Sequence, residues 1–406
     1  MRELSTTCCI AGGGPAGMML GYLLARQGVD VTVLEKHEDF FRDFRGDTVH
    51  PSTLQAFDEM GLLEGYLQRP FQKTETLTVQ VEGQSVTLAD FRHLPGPAPY
   101  VAMMPQWEFL DHLADKGREM DNFHLVMSAR AERYTEDQGR VTGLEVATAD
   151  GPLHVRADLV VGADGRGSVL RAQSGLPLKE LGAPIDVFWF RLSRHAGGAS
   201  ESFGRVSADG MLVMINRGDY WQCALPFPKG ADAAIREQGL PALRQRIARM
   251  APELAGHVDE LASWDDLKLL TVQVNRLDLW WRTGLLFIGD AAHAMSPVGG
   301  VGVNLAVQDA IAAARLLGAP LREGRLTDAD LAAVQARREW PAKATQSAQV
   351  FAHKMVLVPA LTAKRRIRMP FLLRLFQWFP ILRRLPARAV GMGVRPEHWD
   401  TRLDRA

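Results

Sequence analysis

The first thirty-six residues constrain the fold more than any other stretch. Residues 6–11, which include Cys8 and Cys9, are almost uniformly apolar and predict a buried strand. They run straight into Gly12, Gly13, Gly14, Pro15, Ala16 and Gly17, then into helical spacing over residues 18–27. A second apolar run at 31–34 ends on Glu35 and Lys36. Strand, glycine turn, helix and second strand with a terminal acid make the βαβ unit that binds a dinucleotide. In such a unit Gly12 makes the tight turn, Gly14 lets backbone approach a pyrophosphate, and Gly17 permits close helix–strand packing. Glu35 is then placed to accept hydrogen bonds from an adenosine ribose. The competing reading is a glycine-rich turn with a surface glutamate.

Two more strand ends carry the same kind of signal. Residues 159–161 predict a strand that delivers Gly162, Ala163, Asp164 and Gly165 into a helix begun by Ser168. The Asp164 carboxylate can accept from ribitol or ribose hydroxyls, or from the backbone of its own turn. Residues 285–288 predict another buried strand, ended by Gly289, with Asp290 at its carboxyl end. Ligands of open α/β sheets bind at that edge. Pro297, Val298, Gly299, Gly300, Val301 and Gly302 follow, with a helix expected from about Val303 and Asn304. A helix start offers free N–H groups and a positive dipole end to an electron-rich ligand. An ordinary strand–turn–helix connection competes with that assignment.

Between these stretches the pattern changes. Residues 44–61 predict a loop and then a helix, with Ser52 as N-cap and Gly61 as the stop. Arg45 in that loop has a planar fork suited to a phosphate or a carbonyl edge, against a solvated loop arginine; His50, before Pro51, reads as local structure. Residues 74–88 alternate as a hairpin turning at Glu82 and Gly83, and 107–120 are helical. Residues 187–192, 211–216 and 220–226 predict strands of a second sheet. Trp189, Met211 and, register permitting, Gln222 are candidates to line an apolar substrate pocket with Pro297 and Val298. The fold class expected is α/β: a discontinuous Rossmann-like domain (1–72, 98–180, 268–340), an inserted mixed β-sheet domain (73–97, 181–267) and a helical, basic C-terminal region (341–406).

With 47% apolar residues in 406, the chain can bury two or three cores. Its three cysteines form neither a disulfide framework nor a metal-ligand cluster, no metal is expected, and a reducing cytoplasm is the expected compartment. The N-terminus shows no charged leader before an unbroken apolar run, so neither a secretory nor a transmembrane segment is expected. A net charge of zero hides an asymmetry. Trp340 to Pro396 holds eleven Lys or Arg and no acid, while the residues before it hold 34 basic and 44 acidic side chains. Residues 365–384 interleave arginines with large apolar side chains, and the apolar core at 371–379 is too short to span a bilayer. Peripheral membrane contact competes with a helix packed on the acidic body; nucleic acid is not an expected partner.

Taken together, Gly12–Gly17 with Glu35, Gly162–Gly165 with Arg171, and Gly289–His293 through Pro297 to Asn304 resemble the single-component FAD-dependent aromatic hydroxylases of the p-hydroxybenzoate hydroxylase type. The resemblance covers about residues 4–340. It implies that Arg45 lies against FAD and that Gln106 contacts its ribityl region. Asp164 and Gly165 would serve both FAD and NAD(P)H, and Asp290 would hold the ribityl chain. Pro297, Gly299 and Gly300 would line the reactive ring, with Gly302 and the helix start facing its pyrimidine end. The resemblance also implies reduction of FAD by NADH or NADPH, addition of O2 to give a flavin C(4a)-hydroperoxide, and oxygen transfer to an aromatic or polycyclic lipophilic substrate. No Tyr or His pair for deprotonating a phenol is evident, and His293 is expected to brace its turn. Trp264, Trp280 and Trp281 lack the spacing of flavin halogenases. A flavin-dependent prenyl reductase and a redox-idle flavoprotein binding a hydrophobic compound are the alternatives.

Overall fold

The computed structural model describes residues 2–41, 48–194, 203–362, 369 and 371–405. The core of its first sheet is built by parallel pairing, and the strands Ala129–Asp137, Arg140–Thr148 and Trp281–Arg282 join it antiparallel. The strand Arg2–Ala11 lies between Gly151–Gly162 and Val31–Leu34, with Leu285–Phe287 outside the former and Phe123–Val126 outside the latter. Cys8, Cys9, Ile10, Val31, Val33, Leu159, Val160, Val161, Leu286 and Phe287 are all inaccessible. Burial on both faces explains why these strands read as continuous apolar runs rather than alternating ones. Burial also raises the pKa of all three thiols, which leaves them inert as nucleophiles. One face is covered by Pro15–Arg26, Gln106–Gly117 and Gly302–Arg322, whose apolar sides share a core with the strands.

The register is flush at the carboxyl end. Ala11 pairs with both Leu34 and Gly162, and Gly162 pairs with Phe287. Four parallel strands therefore release their following turns at one level, and those turns are the three glycine motifs and Glu35.

The second sheet has seven strands, in the order Lys268–Leu270, Ile185–Ser193, Tyr220–Pro228, Gly210–Asn216, Phe203–Ser207, Thr76–Val81 and Gln84–Asp90. Alternation divides its side chains. Phe188, Phe190, Leu212, Met214, Cys223, Leu225 and Phe227 pack against Leu243, Ile247 and Met250 of the helix Leu240–Met250. Val187, Trp189, Met211, Val213 and Ala224 take the other face, in a cluster with Val298.

Two local expectations need correction. The helix Pro51–Glu59 is preceded by His50 as N-cap, so Ser52 lies inside it. The reason is Pro51, whose fixed φ and missing N–H suit the first helical position; the Ser52 hydroxyl instead accepts from Asn304 Nδ2 at 3.1 Å. Gly61 does end that helix region, in the left-handed conformation at φ +73°. The C-terminal region expected from residue 341 starts within a helix, because Asp328–Ala352 is continuous across Pro341. The charge change there is a change of surface, not a linker. The stretch Val298–Arg322 is long and apolar enough to cross a membrane, but most of it is buried in protein, as befits a core helix.

Candidate active site

Gly12 has φ +112°, and a Cβ there would lie 2.4 Å from the Ala163 carbonyl oxygen. A Cβ on Gly17 would lie 1.9 Å from the Gly12 oxygen. The first βαβ turn and the Asp164 turn are thus pressed together at distances only glycine allows. Gly14 is different: a Cβ there would meet nothing within 4 Å, so open space lies over the start of the helix Pro15–Arg26, which no side chain caps. Ala16 stands at that helix start, where a Cβ on Gly289 would come within 3.1 Å of its methyl. Glu35 Oε2 accepts from the Gly13 amide at 3.0 Å and Oε1 from His37 at 3.1 Å, so the acid also braces the turn. Lys36 beside it is exposed.

Arginines join the second and third motifs. Arg171 donates to the carbonyls of Asp290 at 3.3 Å, of Ala291 at 2.9 Å and of Arg166. Arg166 in turn holds the Asp290 carboxylate at 3.0 Å. Asp164 Oδ2 accepts from the Val169 amide at 3.0 Å, which is the structural role left open by the sequence. Its Oδ1 is buried and has no partner among the described residues. Burial raises the Asp164 pKa, partly countered by hydrogen bonds from its own helix start. One carboxylate oxygen is therefore committed to the turn, and the other is available to a ligand hydroxyl.

The third motif rests on a buried charge network. Asp309, fully buried on the core helix, accepts from the Gly289 amide at 3.1 Å, from His293 at 2.6 Å and from Arg338 at 3.0 Å. Arg338 reaches on to Glu397 at 3.3 Å, and Arg337 holds the same carboxylate at 2.6 Å. Burial pushes the Asp309 carboxyl up, but His293 and Arg338 outweigh it and hold the group below the usual range. His293 braces the turn, consistent with the role expected of it. Asp309, Arg338 and Glu397 escaped the sequence reasoning, because partners 29 and 59 residues apart leave no local pattern.

After this turn the chain passes Ser296, whose hydroxyl meets His353 at 2.8 Å, and enters Pro297–Gly302. Gly299 and Gly300 have φ +82° and +63°, and Thr48 Oγ1 donates to the Gly300 carbonyl at 2.9 Å. The helix Gly302–Arg322 begins here with no side-chain cap among the described residues, so its first amides, around Gly302, Val303 and Asn304, are placed to meet an acceptor. The Asn304 side chain is occupied by Ser52 and Thr53. Gln106 opens the helix Gln106–Gly117 and is half-buried. Arg45 lies outside the described residues. Gly165, at φ +85°, leaves open space around its Cβ position.

On the second sheet, Trp189, Met211 and Val298 fall in one apolar cluster, and Gln222 pairs with Arg191 and Ile215 on the same face. Gln222 Oε1 also accepts from Arg217 at 3.1 Å. Trp189 Nε1 is buried without a partner among the described residues.

The residues fit a flavin dinucleotide. Open space at Gly14, a free carboxylate oxygen on Asp164 and two uncapped helix starts present polar groups along one sheet edge, and an apolar sheet face closes it. That arrangement defines a dinucleotide-binding flavoprotein. The chain belongs to the FAD-dependent aromatic monooxygenases of the p-hydroxybenzoate hydroxylase type: the FAD binding domain family model matches residues 5–348. It is 34% identical over 354 residues to 6-methylpretetramide 4-monooxygenase of Streptomyces rimosus, covering 87% of this chain and 84% of that one. It is 28% identical over 316 residues to dialkyldecalin synthase of Streptomyces rugosporus, covering 76% and 64%. PqsL of Pseudomonas aeruginosa, described as a probable FAD-dependent monooxygenase, shares the fold with a TM-score of 0.73 at 24% identity, covering 89% of this chain and 98% of that one.

Proposed function

We propose that this FAD-dependent monooxygenase consumes NADH or NADPH and O2 to hydroxylate an aromatic or polycyclic lipophilic small molecule in the cytoplasm. The observation that carries it is the apolar cluster of Trp189, Met211 and Val298 set directly on the Pro297–Gly302 turn. FAD, when bound, supplies the redox and oxygen chemistry. The chain's own part is to place and shield. The helix start at Gly302 stabilises negative charge on whatever faces it. The Trp189–Met211 face excludes water from a planar apolar substrate. Trp189 Nε1, an unpaired buried donor, orients a substrate oxygen. The relative named for 6-methylpretetramide supports a polycyclic aromatic substrate.

A second reading has support in the relative named dialkyldecalin synthase: the pocket could shape a hydrophobic substrate while the flavin stays redox-idle. Candidate polycyclic aromatics should be tested for stimulated NAD(P)H oxidation and for a product heavier by one oxygen atom. Stimulated consumption with that product supports hydroxylation. Conversion of a substrate with no NAD(P)H consumed and no added oxygen overturns it in favour of the second reading.

A further inference from the structure

We propose that the outer face of the C-terminal helices docks the enzyme on an anionic lipid bilayer. Sixteen large apolar side chains are exposed among the described residues, and nine of them lie between Trp340 and Leu385. Phe371 and Trp378, at 65% and 60% exposure, sit two turns apart on the helix Phe371–Trp378 with their rings 6.1 Å apart. Phe379, Ile381 and Leu385 continue the exposed set at 54%, 66% and 68%. This helix has its inner face already used. Leu373 and Phe376, with Met369, pack on Val79, Val81 and Val86 at the edge of the seven-stranded sheet. The outward aromatic face therefore has no apolar partner within the described residues.

The charge around that face selects its partner. Arg374 lies on the helix between Phe371 and Trp378, and Arg384 and Arg388 are exposed beyond it. The described residues 371–388 hold four arginines, Arg374, Arg383, Arg384 and Arg388, and no acid. A second copy of the chain, docked through the same face about a two-fold axis, would set this positive surface against itself. An anionic bilayer offers both terms at once: burial of the aromatic and aliphatic tips at the headgroup boundary, and attraction of the arginines.

The same stretch backs the substrate cluster. Leu357 and Leu361 pack with Val298, Trp189 and Met211, while Phe351, Met355 and Val356 on the adjoining turns are 65%, 62% and 62% exposed. Docking there would bring the apolar pocket wall to the membrane that holds a lipophilic substrate. Binding itself is independent of the reaction assigned above and is read without turnover.

The test is sedimentation of the full-length, FAD-loaded protein with phosphatidylcholine vesicles and with vesicles containing phosphatidylglycerol. Two variants accompany it, Arg374→Glu/Arg384→Glu/Arg388→Glu and Phe371→Ser/Trp378→Ser, with retained FAD absorbance and thermal midpoint as fold controls. The wild type should prefer the anionic vesicles by at least about tenfold, and the charge variant should lose that preference. The aromatic variant should bind both kinds of vesicle about tenfold more weakly. Raising salt from about 0.1 M to about 0.5 M should release the wild type. Equal, weak partitioning of the wild type on both vesicles overturns the proposal without recourse to any variant. Self-association that both variants abolish, with no vesicle binding, overturns it in favour of a second copy.

Discussion

At the edge of the parallel sheet the decisive atoms are backbone: amides at uncapped helix starts, and glycines whose Cβ would strike a neighbouring carbonyl at 1.9 to 2.4 Å. On the seven-stranded sheet they are side chains, Trp189, Met211 and Gln222, on a face set by alternation. Backbone geometry of the first kind admits few substitutions, which suits a cofactor that does not vary. Side chains of the second kind can be exchanged for others of similar volume without loss of the fold.

Several substitutions would break or sharpen that contrast. The largest effect is expected at Asp309→Ala, which strips a buried carboxylate from Arg338, His293 and the Gly289 amide. Urea unfolding should show a loss of about 3–5 kcal/mol, because the Gly289 amide and His293 lose their buried acceptor and Arg338 keeps only one carboxylate, Glu397 at 3.3 Å. A change under about 1 kcal/mol would show that the network does not carry the turn.

His50, which lies by the Gly300 and Val390 carbonyls, sets an expected pH dependence. Burial pushes its pKa down to about 4, against weaker support from the Val390 and Gly300 carbonyls. Between the unfolded value near 6.5 and the folded value, the unfolded chain binds a proton that the folded chain refuses. Stability is therefore complete above about pH 6.5 and falls as pH drops toward 4, by at most ~3 kcal/mol. His353, also lowered by burial, acts in the same direction. His50→Asn should give a shallower slope of unfolding midpoint against pH, and an unchanged slope would remove His50 as its source.

Gly300→Ala comes next. Its φ is +63° and the new Cβ would lie 2.3 Å from Thr48 Oγ1, so about 1–3 kcal/mol of destabilisation and weaker FAD binding are expected. Met211→Leu, on the other region, should cost less than about 1.5 kcal/mol and leave FAD binding intact while altering substrate KM. A Met211→Leu protein that loses FAD would contradict the division of labour between the two regions.

The same contrast explains how far the sequence could be read. Gly12 to Glu35, Asp164 and Asp290 were legible because each follows a parallel strand in chain order, and parallel pairing with flush register guarantees that such ends meet. The shared face of Trp189, Met211 and Gln222 was legible as period-two alternation, with only register left to settle. The Asp309–Arg338–Glu397 network was not, since helix-borne charges far apart in sequence look like ordinary solvated residues until the helices pack. The pairing of Ser296 with His353 is hidden for the same reason. At Pro51 the signal was present: proline at the first helical position outranks Ser52 as a marker of the helix start.

The most direct measurement is titration of FAD into the apoprotein of two variants, one from each region. Asp290→Ala removes the carboxylate that the Arg166 and Arg171 clamp presents at the sheet edge, and its Kd for FAD should rise at least about tenfold, or ~1.4 kcal/mol. Trp189→Phe keeps the apolar wall and should leave that Kd within about twofold of the wild type. FAD affinity that survives Asp290→Ala but collapses in Trp189→Phe would contradict the placement of the cofactor on this edge.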